Sequence, residues 1–559
     1  MPPWLPKPGH GDFINARRLS NDQIDLIDRW ARAGAPEGDA RDLPAPPSSL
    51  TGWQLGAPDL VIEMPVRYTL DPQSHDVFRN FVLPVPVVGT RFVRGVEFRF
   101  SNYKAVHHAV LLVDTLRSSR RLDEQDAAPG FDGMISEAAQ SPFGHFVGWT
   151  PGNMPKLGAA EMAWTLEPGT DLVLQLHMMP SEKQQQVGAS VALYFSDVAP
   201  TQTPILLKLT SKTLDIPPGE ANYRVTDSYL LPADVDVLAA YPHAHFLGRE
   251  LRGFARLPDG SLTPLLWIEE WNFLWQDVYR YRVPVFLPKG TTITMEYRYD
   301  NSRANPHAGH AADRQVVYGP GSFDEMADLW LQVLPRDRRT IGLLAQQQVE
   351  RERRADIAGA EQSLARHPND LTRRLLLGTL YFQAGRLAEA VRENEKALAI
   401  EGASAEAHNN LAAAFEAQGR LPEAIGHYRE AARLQPQDGR IALNLGNTLQ
   451  AAGRSGEALT VLGRAVALNP ESTEAHNNYG VALASGRRLP EAIAQFRAAL
   501  ALNKGDADAH CNLGMALASR GDVPGGIGHV REALALNPQH PNAHANLEIL
   551  LRLQGGGRQ

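Results

Sequence analysis

The amino-acid sequence predicts a multidomain protein: two antiparallel β-sandwich domains followed by an all-α superhelix of repeated helix pairs. Three observations predict it. The last third of the chain repeats with a period of 34 residues. Residues 51 to 335 have little helical periodicity and carry short alternating runs bounded by Gly, Pro and Asp. That stretch spans about 285 residues, more than one ordinary sandwich holds, so two similar β domains divided near residue 200 fit it better.

Residues 1–50 hold one helix, Asn21 to Ala33, closed by Gly34, Pro36 and Gly38. The run Asp42-Leu43-Pro44-Ala45-Pro46-Pro47 then reads as a stiff linker. So short a piece is too small for a core of its own. Residues 51–200 and 201–339 are the two sandwiches. Their clearest strands are Phe92 to Phe100, Leu172 to Met178, Pro204 to Leu209 and Thr291 to Tyr299. In the last, Ile293, Met295, Tyr297 and Tyr299 share one face, which makes Met295 ordinary strand core. Residues 340–559 begin with a charged helix, Thr340 to His367, that leads into the repeats. His408, His476, His510 and His544 lie on one 34-residue lattice, with Ala442 in the gap. Ala390, Ala424, Ala458 and Ala492 keep the same period, and Pro436, Pro470 and Pro538 mark repeat ends. This helix–turn–helix period with small residues at fixed sites resembles the tetratricopeptide repeat. Five repeats run from about Asp370 to Gln539, followed by a last helix from about Asn542 to Leu553.

Composition excludes several classes of function. Among 559 residues, 55 Lys and Arg face 63 Asp and Glu, and this mildly acidic chain with no basic stripe is a poor nucleic-acid binder. No apolar run is long enough to span a bilayer. The single cysteine, Cys511, rules out an intramolecular disulfide, a CxxC pair, an iron–sulfur site and covalent haem attachment, and reads as core. A metal would need nitrogen, oxygen or thioether ligands, for which the chain has 18 His and 10 Met.

The histidines of the β region fall into groups. His243 and His245, in Tyr241-Pro242-His243-Ala244-His245, sit at i and i+2 of a strand and can grip one ion. Adjacent His107 and His108 point to opposite faces of an ideal strand and share an ion only across a bulge. His177 ends the run Leu172 to Met178. Each taken alone is more often a hydrogen-bonded strand residue than a ligand. The ordered set is another matter: Val106-His107-His108, then Leu174-Gln175-Leu176-His177, then His243-Ala244-His245, then Asp324-Glu325-Met326. It resembles the copper type II, ascorbate-dependent monooxygenases, the peptidylglycine hydroxylating and dopamine β-monooxygenase family, particularly its bacterial members. The contexts Asn80-Phe81-Val82-Leu83-Pro84, Gly148-Trp149-Thr150-Pro151-Gly152 and Tyr299-Asp300-Asn301 also match, over residues 55 to 335.

The resemblance implies two β-sandwiches and two copper ions per chain. His107, His108 and His177 would hold an electron-transfer copper, and His243, His245 and Met326 an oxygen-binding copper. A thioether is soft and suits Cu(I). Met178 and Met179 read as packing. The implied activity is C–H hydroxylation with O₂ and a small reductant such as ascorbate. Family members that act on peptides hold a carboxylate with an Arg, an Asn and a Tyr; the matching positions here are Tyr241, Asp328 and Trp330. Loss of the cation argues against a glycine-extended peptide. An aromatic or amine-bearing substrate is compatible, although such an Asp is more often simply solvated.

Residues Leu19 to Pro36 resemble the last helix of a c-type cytochrome domain, with Met1-Pro2-Pro3-Trp4 resembling the segment that carries its methionine ligand. The CxxCH is missing, so the chain as it stands holds no covalent haem. Either the natural start lies upstream, implying a periplasmic or exported protein, or the domain is lost and residues 1 to 40 are a packing arm. The chain shows no signal peptide and taken literally reads as cytosolic.

Asn410, Asn444, Asn478, Asn512 and Asn546 follow the His/Ala column by two residues. The column resembles the asparagine ladder of the O-linked N-acetylglucosamine transferase repeats, and implies amides that meet a peptide backbone of a protein partner. The bland reading is that Asn is common there. One histidine per repeat is too far from the next to share an ion, which leaves packing or polar surface. Two rivals to the enzyme are an inactive copper-binding scaffold acting through its repeats, and an electron-transfer module serving a haem domain on another chain.

Overall fold

The computed structural model describes residues 5–14, 16, 19–42, 52–72, 76–133, 139–179, 181–308, 312–321 and 323–556. Residues 1–4 and the proline-rich linker from 43 onward lie outside them. The chain forms two compact units, residues 1–355 and 356–559.

The first unit contains the two sandwiches. In the N-terminal one, the strands Leu60–Glu63, Ala189–Ser196, Arg91–Phe100 and Trp164–Leu166 form one antiparallel sheet in that order. The other sheet runs Phe131–Asp132, Val77–Pro84, Asp171–Met178, Val106–Asp114 and Gly148–Trp149. Its middle strand, Asp171–Met178, is buried at every position, hence the unbroken apolar run. Phe81, Leu83, Val93, Leu111 and Leu174 fill the space between the sheets, with Met178 among them.

The C-terminal sandwich pairs the sheet Ile205–Thr210, Asp328–Pro335, Val235–His243, Tyr279–Leu287 with the sheet Tyr223–Leu230, Thr292–Tyr299, Gly248–Arg256, Leu262–Ile268. Ile293, Met295, Tyr297 and Tyr299 all reach zero exposure, as their alternation predicts. Residues 5–14 lie along this sandwich: Lys7 N donates to Trp267 O at 2.7 Å, Arg282 N donates to Asp12 O at 2.8 Å, and Phe13 enters the core. The helix Asn21–Arg32 starts at a capping box between Ser20 and Gln23 and buries none of its residues. The long helix Ile341–Arg366 joins the sandwich core through Leu344, while Gln347 accepts from Tyr229 Oη at 2.7 Å and Arg351 pairs with Asp227 at 2.6 Å.

The second unit holds five helix pairs, beginning with Leu371–Gln383 and Leu387–Ile400 and ending with Ala507–Ser519 and Val523–Leu536, then the last helix Ala543–Gly556. Asp370, Ser404, Asp438, Ser472 and Asp506 cap the first helix of each pair, so the capping position itself repeats every 34 residues. Ala390, Ala424, Ala458 and Ala492 are fully buried where the paired helices meet. At Gly480 a Cβ would lie 2.6 Å from the Phe496 ring, which explains the small residue there.

Candidate functional site

The first histidine group forms on two paired strands. The register of Val106–Asp114 against Asp171–Met178 slips between Val106 and His108, so His108 faces His177 and His107 is the extra residue of a bulge. That irregularity is the one adjacent histidines require to share a site. The three Nδ1 atoms stand 3.2 Å (His107–His108), 3.2 Å (His107–His177) and 3.3 Å (His108–His177) apart. The centre of that nearly equilateral triangle is about 1.9 Å from each nitrogen, close to the roughly 2.0 Å of an imidazole–metal bond. His177 Nε2 faces the Asp76 carboxylate at 3.3 Å, which favours a proton on Nε2 and a lone pair on Nδ1. Burial, then the neighbouring His177, pushes the His107 pKa down to about 4, and burial also holds His108 well below its ordinary value. The His107 and His108 rings are therefore neutral near pH 7, the form a metal needs.

His243 and His245 present the other nitrogen. Nδ1 of His243 is 2.7 Å from Gln276 Oε1, and Nδ1 of His245 is 3.1 Å from the Asp324 carbonyl. Both partners are acceptors, so both Nδ1 atoms carry the proton and both Nε2 atoms keep the lone pair. The ring centres are 5.2 Å apart. Burial holds both pKa values down, that of His245 to about 3. Met326, 8% exposed, is tied to His245 through the backbone by Glu325. The fully buried Glu325 carboxylate accepts from the backbone N–H groups of His245, Leu247 (2.9 Å) and Met326 (2.9 Å). Tyr299 Oη donates to Met326 O at 2.7 Å.

Tyr241, Asp328 and Trp330 line up beside His243. Tyr241 pairs with Trp330 and His243 with Asp328 across neighbouring strands, so all four share one face. Phe146 packs on Tyr241 and Trp330, with ring centres 5.8 and 6.5 Å away. Asp328 corrects one expectation. It is not solvated: it is 4% exposed and its Oδ2 lies 3.3 Å from Lys208 Nζ, which also sits 4.5 Å over the Trp330 ring. The wall thus has a cation after all, supplied by the strand Ile205–Thr210. Position 241 gave no hint of it.

The sequence reading missed the loop from Trp271 to Asp277, which touches both groups. Trp271 Nε1 donates to the carbonyls of Ala244 (3.2 Å) and His245 (3.1 Å). The Phe273 ring stacks on His107 at 4.5 Å and meets His245 edge-on at 5.3 Å. Trp275 covers Gly152, where a Cβ would fall 2.6 Å from the indole, and Thr150 Oγ1 donates to Gln276 O at 2.8 Å. The Gly148 to Gly152 motif is therefore the seat for this loop. Three aromatics in Trp271-Asn272-Phe273-Leu274-Trp275, between two strands, were the available signal.

In the repeats, the asparagine column is laced to the first helix of the preceding pair. Asn444 donates to Asn409 Oδ1 (3.1 Å), Asn478 to Asn447 (3.1 Å) and Asn512 to Asn477 (3.0 Å), while Asn410 meets Thr379 and Asn546 meets buried Cys511. Three residues of the histidine column, His408, His476 and His510, have partners on the second helix of their pair. His408 Nδ1 is 2.9 Å from His427 Nδ1, His510 Nδ1 is 3.0 Å from His529 Nδ1, and His476 meets Gln495 at 2.6 Å. Burial, then the facing histidine, lowers the pKa of His427 and of His529. Glu395 opposes this at His427; at His529, Arg497 adds to it while Asp522 and Glu532 oppose it. A depressed histidine pKa contributes stability that is complete above the unfolded value and lost as pH falls through the folded one. The thermal midpoint of the repeats is expected to drop between about pH 7 and about pH 5. The drop should shrink in His427→Gln/His529→Gln, whose glutamines copy Gln495; equal drops in both proteins would discount the pairs.

Tetratricopeptide repeat models match residues 403–471, 443–507 and 487–541, and a TPR repeat model matches 378–419. No curated protein matches the chain. Similar solved structures include YrrB, described as a TPR protein with an unusual peptide-binding site, at 27% identity over 33% of this chain and 96% of that one, TM-score 0.30. They also include PilF of Pseudomonas aeruginosa, at 23% identity over 33% and 84%, TM-score 0.31. MamA of Desulfovibrio magneticus is similar at 19% identity over 31% and 97%, TM-score 0.29. The family models make residues 378–541 a tetratricopeptide repeat array.

Proposed function

We propose that the β-rich unit is a copper-dependent monooxygenase that hydroxylates a C–H bond, joined to a repeat array that binds a protein partner. The observation that carries this reading is the triangle of Nδ1 atoms from His107, His108 and His177, at 3.2–3.3 Å. Three imidazole Nδ1 atoms aimed at one point are a metal-binding arrangement, since at most some of their lone pairs can be met by hydrogen bonds among themselves. A second ion would be held by Nε2 of His243 and His245 with the Met326 thioether, a donor set that favours copper over zinc. Bound copper supplies one-electron redox chemistry, so that O₂, a C–H substrate and two electrons with two protons from a reductant such as ascorbate give an alcohol and water.

The chain's own residues perform the rest. Gln276 and the Asp324 carbonyl keep Nδ1 of His243 and His245 protonated, so that Nε2 is the ligating atom. Glu325 fixes the backbone around His245 and Met326. Tyr241, Trp330 and Phe146 form an aromatic wall that orients an apolar substrate beside His243, and Lys208 neutralises Asp328 within it. In the repeats, Asn410, Asn444, Asn478, Asn512 and Asn546 offer amide groups suited to an extended peptide backbone.

Copper content after Cu(II) loading and desalting tests the reading, on wild type and Met326→Ile, with and without ascorbate. Two ions per wild-type chain are expected, one of them weakened in the reduced variant. Zero or one ion, or indifference to Met326, would overturn it. Two ions with O₂ consumed and no hydroxylated product across a substrate panel would instead favour an inactive copper-binding scaffold acting through its repeats.

A further inference from the structure

We infer that the loop from Trp271 to Asp277 couples metal loading at the two histidine sites, with Phe273 as the coupling residue. This rests on the proposal that both sites bind copper. The loop has separate attachments to each site. To the first it presents the Phe273 ring, stacked at 4.5 Å and 25° on His107. To the second it presents the edge-on contact of that same ring with His245 at 5.3 Å, the Trp271 bonds to the carbonyls of Ala244 and His245, and the Gln276 bond to His243 Nδ1. Gln276 Nε2 also donates to Phe273 O at 3.1 Å, so the residue that orients His243 is tied directly to the residue that touches His107.

These contacts bound the distance between the sites. With one ring touching both, the His107 and His245 ring centres are at most about 9.8 Å apart. Phe273 is 4% exposed, so what lies between the two rings is a packed aromatic side chain. A ligand that immobilises His107 restricts Phe273, and with it the segment holding His243 and His245. The ordering cost met at the first site is then not met again at the second. The result is positive cooperativity between two ions that share no ligand. Because coupling is reciprocal, filling either site must help the other by the same factor. Phe273 is a positioning residue here, acting through the imidazoles.

The test is Cu(I) affinity measured anaerobically on the full chain, by competition with a chromogenic Cu(I) chelator. Removing the first site with His107→Ala/His108→Ala should weaken the intact second site at least about fivefold, and His243→Ala/His245→Ala should weaken the first site by the same factor. Phe273→Ala, with all six ligands present, should bind each ion only as tightly as that site binds alone, whereas Phe273→Tyr should keep the cooperative behaviour. A purely structural defect would lower one affinity or both without restoring that equality. If each site binds equally tightly whether or not the other is present, two ions remain and the coupling is overturned alone. If wild type takes up no copper, the monooxygenase reading falls, and the coupling with it.

Discussion

Glu325→Ala is expected to cost the β-rich unit on the order of 3–5 kcal/mol and to abolish the copper binding proposed at His243, His245 and Met326. The carboxylate is fully buried and accepts from the N–H groups of His245, Leu247 and Met326. Truncation leaves these donors in the interior without partners, each costing about 1–3 kcal/mol, and opens a void between two chain segments. Burial pushes the carboxyl pKa up to about 8 although the N–H bonds pull it down, so the fold bears a desolvation cost to keep this group in place. The same bonds hold the His245 backbone to that of Met326, so their loss releases the segment that carries the proposed thioether ligand. Calorimetry and copper content measure the two effects. Glu325→Gln, which keeps the volume and one acceptor, should recover part of the stability. A Glu325→Ala protein within about 1 kcal/mol of wild type would show that the bonds contribute little.

Gln276→Leu should leave the fold intact and weaken binding of the proposed second copper about 10- to 100-fold. In the native chain Gln276 Oε1 accepts from His243 Nδ1 at 2.7 Å and from Tyr241 Oη at 3.3 Å, while its own Nε2 is spent on Phe273 O. Leucine has a similar size but accepts nothing. The imidazole then loses the partner that selects its Nε2 lone pair and fixes its plane, and Tyr241 loses its acceptor. The Nδ1 triangle of the first site makes no bond to this side chain, so the ion proposed there should remain bound, weakened by no more than the coupling factor argued above. Cu(I) competition resolves this outcome, and an unchanged second affinity would remove Gln276 from the orientation of His243.

The parts of the fold that repeat or alternate were legible in the sequence. The 34-residue lattice predicts five helix pairs and a last helix, and the period-2 run ending at Tyr299 predicts which face is buried, because both signals reflect local geometry. Histidine spacing also reads well. The His107–His108 pair can share an ion only across a bulge or distortion, and the register slip after Val106 is such a bulge. What spacing does not carry is long-range placement. Lys208 reaches Asp328 from a strand about 120 residues away in sequence, and Phe273 meets His107 across more than 160. Each pairing is decided by how strands stack, which leaves no periodic trace. His427 and His529 illustrate a subtler loss. They share the 34-residue lattice with Gln495, but Val461 interrupts the column, so only the folded pairs give it meaning.

The segment from residue 5 to residue 14 has a consequence for solubility. The strands Leu262–Ile268 and Tyr279–Leu287 are outermost in their sheets and would otherwise offer unpaired backbone groups to any extended chain. The segment satisfies both in turn, bridging at Pro6 to Ile268 and at Phe13 to Tyr281, with Ile14 N donating to Arg280 O at 2.9 Å. Prolines at positions 6 and 8, which lack an N–H to donate, make it a poor template for a further strand. The C-terminal sandwich thus carries its own guard against strand addition, and a chain cut after residue 14 would present two sticky edges to its neighbours.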